Sequence, residues 1–336
     1  MRALLVGAGG MGKTWARNIA EFPEVTLAGW VDVRPEAAAQ AGAETGVTAE
    51  VYGTDLTQAI KDAAPDFVVD VTIPEAHHEV TLTALGHGLP VIGEKPMAAT
   101  MAQAKEMVAA ADAAGKLYMV SQARRYNRQL QAYRDFVQAS LGGVGILNAD
   151  FYIGAHFGGF RDEMESPLIL DMAIHTFDEA RFISGKDPVA VYAEEFNPHW
   201  SWYKADSSAT ALFEFEDDLR FTFRGSWAAE GLHTSWDGDW RSVGKNGTAI
   251  WEHNTVPYAE VVRKSGEFHS EMERVEITPT PGFEFIKGSF AQFLAALNGG
   301  PTPDGECHDN IKSLAMVFAV KESSRRRERV LLSEIL

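Results

Sequence analysis

The glycine-rich segment GAGGMG at residues 7–12 constrains the fold more than any other feature of the sequence. It follows the apolar run RALLVG and leads into MGKTWARNIAEF, in which Met11, Trp15 and Ile19 recur at helical spacing. This order predicts a strand, a tight glycine turn and a helix. Apolar runs alternate with helix-favouring segments to about residue 122, which predicts a parallel sheet with helices on both faces.

The spacing of the glycines predicts a dinucleotide-binding turn. In the G-x-G-x-x-G pattern, Gly7 permits the tight turn, Gly9 lets the backbone approach a pyrophosphate, and Gly12 lets helix and strand pack closely. Asp32 ends the second predicted strand, about 20 residues beyond Gly12, where a carboxylate can bond the ribose hydroxyls. A glycine triplet alone would be a weak signal, but this context makes it specific. We predict NAD as the cofactor.

The choice between NAD and NADP depends on two neighbouring side chains. The charge of Asp32 repels a 2′-phosphate and so favours NAD. Arg34 complicates this prediction, because an arginine at such a position can accommodate that phosphate. We expect Arg34 to point into solvent, and NAD to be preferred over NADP.

Two later strands end in residues that suit a ligand site. Ligands bind outside the carboxyl ends of parallel strands, and here the segments VTIPEAH and GEKP follow two such strands. Lys95 is therefore placed to hydrogen-bond a substrate oxygen; the alternative is a surface lysine paired with Glu94. The predicted cofactor-binding residues are Gly7, Gly9, Gly10, Met11, Gly12, Asp32, Arg34, Thr72, Pro74, His77, Glu94, Lys95 and Pro96.

The second half of the chain has a different pattern. From about residue 145, strand candidates follow one another through short turns such as EDD and KNG, which predicts a large, mostly antiparallel sheet. Helical patterns cover about 168–184, 284–297 and 308–325. We predict an α/β protein with a Rossmann domain at 1–122. A substrate-binding and oligomerisation domain follows at 123–336. Its C-terminal helix can pack back on the first domain.

The apolar helix LILDMAIHTFDEARFI carries three polar residues on one face. Asp171, His175 and Asp178 fall at i, i+4 and i+7. Burial of such groups is costly unless they bind each other, a ligand or a metal. A structural cluster and a functional site both remain open. Zinc is disfavoured, because no partner motif is visible.

Taken in order, the G-x-G-x-x-G turn, Asp32, the EKP segment at 94–96 and the segment DMAIHTFD resemble the Gfo/Idh/MocA oxidoreductase family. This family includes glucose–fructose oxidoreductase and inositol dehydrogenase, and the resemblance spans nearly the whole chain. It implies a Rossmann domain followed by an α/β domain with a large antiparallel sheet. It also implies hydride transfer between NAD(H) or NADP(H) and a hydroxyl carbon of a sugar, cyclitol or related polyol. Family members commonly form dimers or tetramers.

The resemblance implies that Lys95, Asp171 and His175 are the catalytic residues, and that Pro96 helps to fix the loop beside the nicotinamide. The chemistry is consistent with these roles. Oxidation of an alcohol requires a base near the hydroxyl, and histidine has an ordinary pKa near neutrality. The substrate-binding candidates are Tyr126, His156, Arg161, Asp171 and His175. We expect no metal site.

Charge and hydropathy limit the partners. The formal net charge of −17 disfavours nucleic acid binding, and no apolar run approaches the roughly 20 residues of a membrane helix. With no signal peptide pattern, we expect a cytoplasmic protein. The aromatic-rich second half predicts a homodimer or homotetramer.

Two other functions remain open. The first is a redox-neutral NAD-dependent glycosidase, which steady reduced-cofactor production would distinguish from a dehydrogenase. The second is a non-catalytic dinucleotide sensor, which has no need of the residues Lys95, Asp171 and His175.

Overall fold

The computed structural model describes residues 1–336, which fold into two compact units. The first unit comprises Met1–Ala123 and Phe283–Ile311, and the second comprises Arg124–Gly282 and Lys312–Leu336. Each unit contains its own sheet. None of the helices has the length and apolar character needed to cross a membrane.

A six-stranded parallel sheet forms the first unit, in the order β3-β2-β1-β4-β5-β6. Its strands are β1 (Arg2–Val6), β2 (Thr26–Val31), β3 (Val51–Gly53), β4 (Phe67–Asp70), β5 (Val91–Glu94) and β6 (Tyr118–Ser121). The helices that follow these strands are α1 (Gly10–Ala20), α2 (Ala37–Thr45), α3 (Leu56–Ala63), α4 (Pro74–Gly86) and α5 (Met101–Ala114). The predicted Rossmann-like architecture is confirmed.

A late helix, α9 (Phe285–Leu297), completes the core of the first unit. The ring of Phe290 packs edge-on against Trp15 and Phe22, with centroids 5.9 and 5.1 Å apart. It also contacts Phe67 of β4 at 5.9 Å. These buried aromatic contacts explain why a segment from the end of the chain belongs to the first unit.

The second unit is built on nine strands in the order β14-β13-β12-β11-β7-β10-β9-β8-β15. They are β7 (Val144–Tyr152), β8 (Pro188–Phe196), β9 (Ser208–Phe215), β10 (Arg220–Ser226), β11 (Asp239–Gly244), β12 (Gly247–Trp251), β13 (Tyr258–Lys264), β14 (Glu271–Glu276) and β15 (Val330–Leu331). Only the β7–β10 pair is parallel. The predicted mostly antiparallel sheet is confirmed.

The helices of the second unit include one unusual turn. Its α-helices are α6 (Arg128–Ser140), α7 (Phe160–Glu163) and α8 (Ile174–Ser184), and α10 (Cys307–Arg326) runs from the first unit into the second. A π-helical turn at Leu168–Ala173 leads directly into α8. The predicted helix at 168–184 is therefore present, but its first part is wound more loosely than an α-helix.

Phenylalanine side chains join α8 to the second sheet. Phe177 contacts Phe213, Phe221 and Phe223, with ring centroids 5.1, 6.5 and 5.2 Å apart. These rings are fully buried, so they fix the helix that carries the polar residues of the sequence prediction.

Candidate cofactor and catalytic sites

The carboxyl ends of four neighbouring strands place the predicted cofactor residues along one edge of the parallel sheet. The glycine turn follows β1, Asp32 follows β2, Thr72 comes shortly after β4, and Lys95 follows β5. Because these strands are parallel and adjacent, their ends lie at the same edge, where ligands of such sheets bind.

Two of the glycines have no room for a side chain. Gly7 has φ of +106°, and a Cβ there would lie 2.6 Å from the carbonyl oxygen of Val71. A Cβ at Gly12 would lie 2.2 Å from the carbonyl oxygen of Gly7. By contrast, a Cβ at Gly9 or Gly10 would meet no protein atom within 4 Å. The first pair shapes the turn, and the second leaves exposed backbone open to a ligand.

Asp32 is fixed by its neighbours. Its carboxylate accepts hydrogen bonds from the Ala8 amide at 2.8 Å and from the Arg34 amide at 3.0 Å. The Arg34 guanidinium adds two more, at 2.9 and 3.1 Å. Burial opposes ionisation of Asp32, but these hydrogen bonds outweigh it and lower the pKa of the carboxyl. Arg34 is 64% exposed, as expected, yet it pairs with Asp32 rather than pointing away from it.

Asp70 organises the loop that contains Thr72 and His77. It accepts hydrogen bonds from the Thr72 amide and hydroxyl at 3.1 and 2.6 Å, and it lies 3.0 Å from Nδ1 of His77. Burial opposes protonation of His77, but the charge of Asp70 outweighs it and raises the pKa of the imidazole. His77 is only 2% exposed. It therefore supports the loop from behind, while Pro74 begins α4.

Glu94, the first residue of the EKP segment, is the last residue of β5. Its Oε1 accepts a 2.7 Å hydrogen bond from the indole of Trp15, and its Oε2 lies 3.3 Å from the Lys95 amide. Burial raises the pKa of Glu94, although the bond from Trp15 opposes this. The Lys95–Pro96 peptide bond is cis, and the Lys95 side chain is partly exposed. Glu94 is 9% exposed, so its carboxyl is buried rather than at the surface.

These residues fit a dinucleotide. The open backbone at Gly9 and Gly10 lies at the start of α1, where amide groups and the helix dipole favour phosphate. Asp32 offers an ionised carboxylate at the end of the next strand. Met11 is exposed on the same turn.

In the second unit, Asp171 and His175 lie on the π-helical turn and on α8, and both are partly exposed among buried neighbours. Asp178 is different. It is buried and accepts two 2.7 Å hydrogen bonds from Arg125, with a third from the Ser313 hydroxyl at 2.6 Å. Of the three polar residues predicted to share one helix face, two are therefore accessible, and the third, Asp178, forms a structural ion pair.

Arg161 contacts Asp171. Its Nε lies 2.6 Å from Oδ2 of Asp171, and its guanidinium lies 4.9 Å from the ring centre of Phe157 and 4.8 Å from that of Phe160. The structure thus brings two of the predicted substrate residues together. Phe157 and Phe160, which the sequence analysis did not select, support the pair.

The other two substrate candidates have different surroundings. Tyr126 is buried at 4% exposure, in the short 3₁₀ turn before α6. His156 is exposed, stacks on Trp202 with ring centroids 3.7 Å apart, and lies 2.6 Å from Glu230. Of the tryptophans in this half, Trp227, Trp240 and Trp251 are buried in the core, whereas Trp200 and Trp236 are about half exposed or more.

Next to the Asp171–His175 segment lies a buried acidic group that the sequence analysis missed. Glu179, one turn beyond His175, is fully buried, and neither carboxyl oxygen has a hydrogen-bond partner. Burial raises the pKa of Glu179 well above its usual range, and the charge of Asp237 adds to the effect, while Arg124 opposes it. The i+4 spacing from His175 is the signal that could have revealed it.

Comparison with known families identifies two matching domains. Residues 1–122 match a model described as an oxidoreductase family with an NAD-binding Rossmann fold, GFO_IDH_MocA. Residues 155–250 match the GFO/IDH/MocA C-terminal domain.

The relatives in sequence include an anhydrofructose reductase and an inositol dehydrogenase. The chain is 27% identical to the uncharacterized protein y4oX of Sinorhizobium fredii, over 100% of this chain and 96% of that one. It is 24% identical to a 1,5-anhydro-D-fructose reductase of Ensifer adhaerens, over 95% of each. It is 30% identical to an inositol 2-dehydrogenase of Ralstonia nicotianae, over 62% of each.

Solved structures share the fold. An oxidoreductase from Agrobacterium radiobacter, in complex with NAD+, L-tartaric acid and magnesium, superimposes with a TM-score of 0.87 at 22% identity, covering 100% of this chain and 99% of that one. A levoglucosan dehydrogenase in complex with NADH gives a TM-score of 0.83 at 19% identity, covering 99% of each.

Proposed function

The chain belongs to the Gfo/Idh/MocA oxidoreductase family, and on that premise we propose that it is an NAD-dependent dehydrogenase of a sugar, cyclitol or related polyol. The hydride moves between a hydroxyl carbon of the substrate and the nicotinamide. The observation that carries the proposal is the pair Asp171 and His175, which are partly exposed, whereas the residues between them, 172–174, are buried. The names of the inositol dehydrogenase and anhydrofructose reductase relatives support the substrate class.

We assign cofactor binding to the first unit. The glycine turn would receive the pyrophosphate, and Asp32 would bond the ribose hydroxyls. When bound, the nicotinamide supplies the hydride acceptor. Lys95 and Pro96, at the end of β5, belong to the same edge of the sheet.

We assign substrate binding and proton transfer to the second unit. His175 is the general base that removes the hydroxyl proton, because an imidazole accepts a proton near neutral pH. Asp171 orients the substrate or the imidazole. Lys95, a residue of the first unit, would contribute a cation that stabilises the developing oxyanion. A positioned general base of this kind typically accelerates a reaction about 10²–10⁴-fold.

NAD is the preferred cofactor in this proposal. Asp32 is ionised and is fixed by four hydrogen bonds from Ala8 and Arg34. A 2′-phosphate would lie against that charge and would have to draw Arg34 away from its carboxylate partner. A 2′-hydroxyl requires neither change.

Oligomer formation is supported by the outer face of the second sheet. Tyr192 of β8 lies directly opposite Leu212 of β9, and the two side chains are 53% and 45% exposed. Phe196 of β8 and Ile146 of β7 are also exposed on this sheet. We propose that a second copy of the chain covers this face. Light scattering would give a dimer or tetramer mass, and a monomer at micromolar concentration would contradict the proposal.

A substrate screen tests the function. The protein would be incubated with aldoses, cyclitols and anhydro sugars, with NAD or NADP, and the absorbance of the reduced cofactor followed. We expect steady reduction of NAD with at least one polyol, and kcat/KM about 10-fold or more lower with NADP. A higher kcat/KM with NADP would mean that Arg34 governs the pocket. Glycoside cleavage without net reduction would indicate the redox-neutral alternative, and binding without turnover would indicate a sensor.

A further inference from the structure

Arg161 contacts the Asp171 carboxylate from another segment of the second unit. It belongs to the short helix α7, ten residues before Asp171, and its Nε lies 2.6 Å from Oδ2. The two side chains are 34% and 21% exposed. The pair therefore lies at a surface that a substrate can reach.

Two aromatic rings limit the movement of the guanidinium. Phe157 and Phe160 each lie within 5 Å of it, a distance at which a cation is attracted to the face of a ring. Phe157 is in turn packed against the buried Trp227, with ring centroids 5.1 Å apart. The position of Arg161 is thus linked to the core of the unit through Phe157.

The surrounding backbone makes this support necessary. Gly158 and Gly159 both have positive φ, of +67° and +66°, and α7 has only four residues. Such a segment offers little regular structure to fix a long side chain. The rings supply that restraint, and the planar guanidinium can then hold a carboxylate in one orientation.

Stability alone does not explain the arrangement. An ion pair as exposed as this one contributes little to folding stability. Its position matters more, because Asp171 lies on a π-helical turn, a rare form of helix that is frequent at functional sites. Arg161 gives the carboxylate on this turn a contact from outside its own helix.

We propose that Arg161 is a positioning residue, which holds the Asp171 carboxylate in the orientation required for hydride transfer. This inference rests on the proposed function. Arg161 acts through Asp171, and its own contribution disappears when Asp171 is absent. Phe157 and Phe160 contribute indirectly, because their rings restrain the Arg161 guanidinium.

The test is a double-mutant cycle on the substrate identified by the screen. Arg161→Ala should lower kcat by roughly 10–100-fold, the typical cost of a misplaced catalytic group, while the Kd for NADH stays within about two-fold. Asp171→Ala alone and the double variant should have the same kcat, because the second change removes an interaction already lost. Arg161→Lys should recover only part of the activity, since lysine lacks the planar fork.

Two further measurements separate positioning from folding. Added ethylguanidinium should partly restore kcat to Arg161→Ala and should leave the double variant unchanged. Lys204→Ala is the matched control, because Lys204 pairs with Glu163 of the same short helix at 2.8 Å and is exposed. It should retain wild-type kcat and the same unfolding temperature.

The positioning role would be overturned if the loss of kcat in the double variant equalled the product of the losses in the two single variants. An unchanged kcat in Arg161→Ala would overturn it as well. Either result would leave the proposed function intact. A loss in Lys204→Ala as large as that in Arg161→Ala would also overturn the positioning role, because the segment as a whole would then be responsible. A wild-type protein that oxidises or reduces no polyol would defeat the proposed function and this inference with it.

Discussion

The glycine turn of the first unit and the Asp171–His175 segment of the second are fixed by different kinds of interaction. In the turn, main-chain atoms determine the geometry, since a Cβ at Gly12 would lie 2.2 Å from a carbonyl oxygen. In the Asp171–His175 segment, side chains from other parts of the chain determine it. Arg161 fixes Asp171, and Arg125 fixes the neighbouring Asp178.

The difference has a functional meaning. A site formed by backbone binds a common group, such as a pyrophosphate, and tolerates little change in its own sequence. A site formed by charged side chains can be adjusted one residue at a time, which suits chemistry and substrate choice. We therefore expect substitutions in the two regions to damage different properties of the enzyme.

The largest effect is expected for Lys95→Ala and His175→Ala. Each should lower kcat by about 10²–10⁴-fold, because each removes a group that acts on the substrate hydroxyl. The Kd for NADH should change little, since the glycine turn and Asp32 hold the dinucleotide. Steady-state kinetics and fluorescence titration of NADH give the two quantities. A kcat near that of the wild type in both variants would make the face of α8 a structural feature.

The backbone region should respond in the opposite way. Gly12→Ala should destabilise the protein by about 1–3 kcal/mol, because the new methyl group has no space. Gly9→Ala should leave stability unchanged, because a Cβ there meets no protein atom, but it should weaken NADH binding about 10-fold or more by obstructing the pyrophosphate.

Thermal unfolding and NADH titration distinguish these two variants. Gly86→Ala is the control, since Gly86 ends α4 in open space and outside the site, and it should match the wild type in both measurements. If Gly9→Ala binds NADH as tightly as the wild type, the pyrophosphate does not approach this part of the turn.

A smaller effect is expected from the buried carboxyl near His175. Burial raises the pKa of Glu179, so the folded chain binds its proton more tightly than the unfolded chain does. Stability must then fall as pH rises from about 4.3, the unfolded value, toward the folded pKa. Glutamine stays neutral, so Glu179→Gln does not share this loss of stability. The difference in unfolding temperature, variant minus wild type, should be larger at pH 8 than at about pH 5 by about 2 °C or more.

Calorimetry at the two pH values measures this difference. The exposed Glu194 provides a control, and Glu194→Gln should show no gain with pH. An equal difference between Glu179→Gln and the wild type at both pH values would show that Glu179 is already ionised in the folded protein.

The fold could be predicted largely from the sequence, because its signals are local. Alternating apolar runs and helical periodicity predicted the parallel sheet, and successive strand patterns predicted the antiparallel one. The strand β13 and the helix α6 were missed. β13 carries polar residues on both faces, and α6 is rich in arginine and glutamine. In both cases tertiary contacts, such as the bond from Tyr133 to Ser242, supply what the pattern lacks.

The candidate site could be predicted only in part. The glycines and Asp32 could be predicted because their roles follow from their spacing along the chain. The pairing of Arg161 with Asp171 depends on an aromatic cluster whose members come from residues 157–160 and from Trp227. The partners of Asp178 are likewise distant in sequence, since Arg125 comes from the turn before α6 and Ser313 comes from α10. No periodicity in the sequence reveals such contacts.

The most direct test of the difference between the two regions is to measure NADH affinity and single-turnover hydride transfer in Gly9→Ala and His175→Ala. We predict that Gly9→Ala binds NADH weakly but transfers hydride at close to the wild-type rate once the cofactor is saturating. His175→Ala should bind NADH normally and transfer hydride about 10²–10⁴-fold more slowly. Loss of both properties in both variants would contradict the account, because cofactor binding and catalysis would then depend on the same residues.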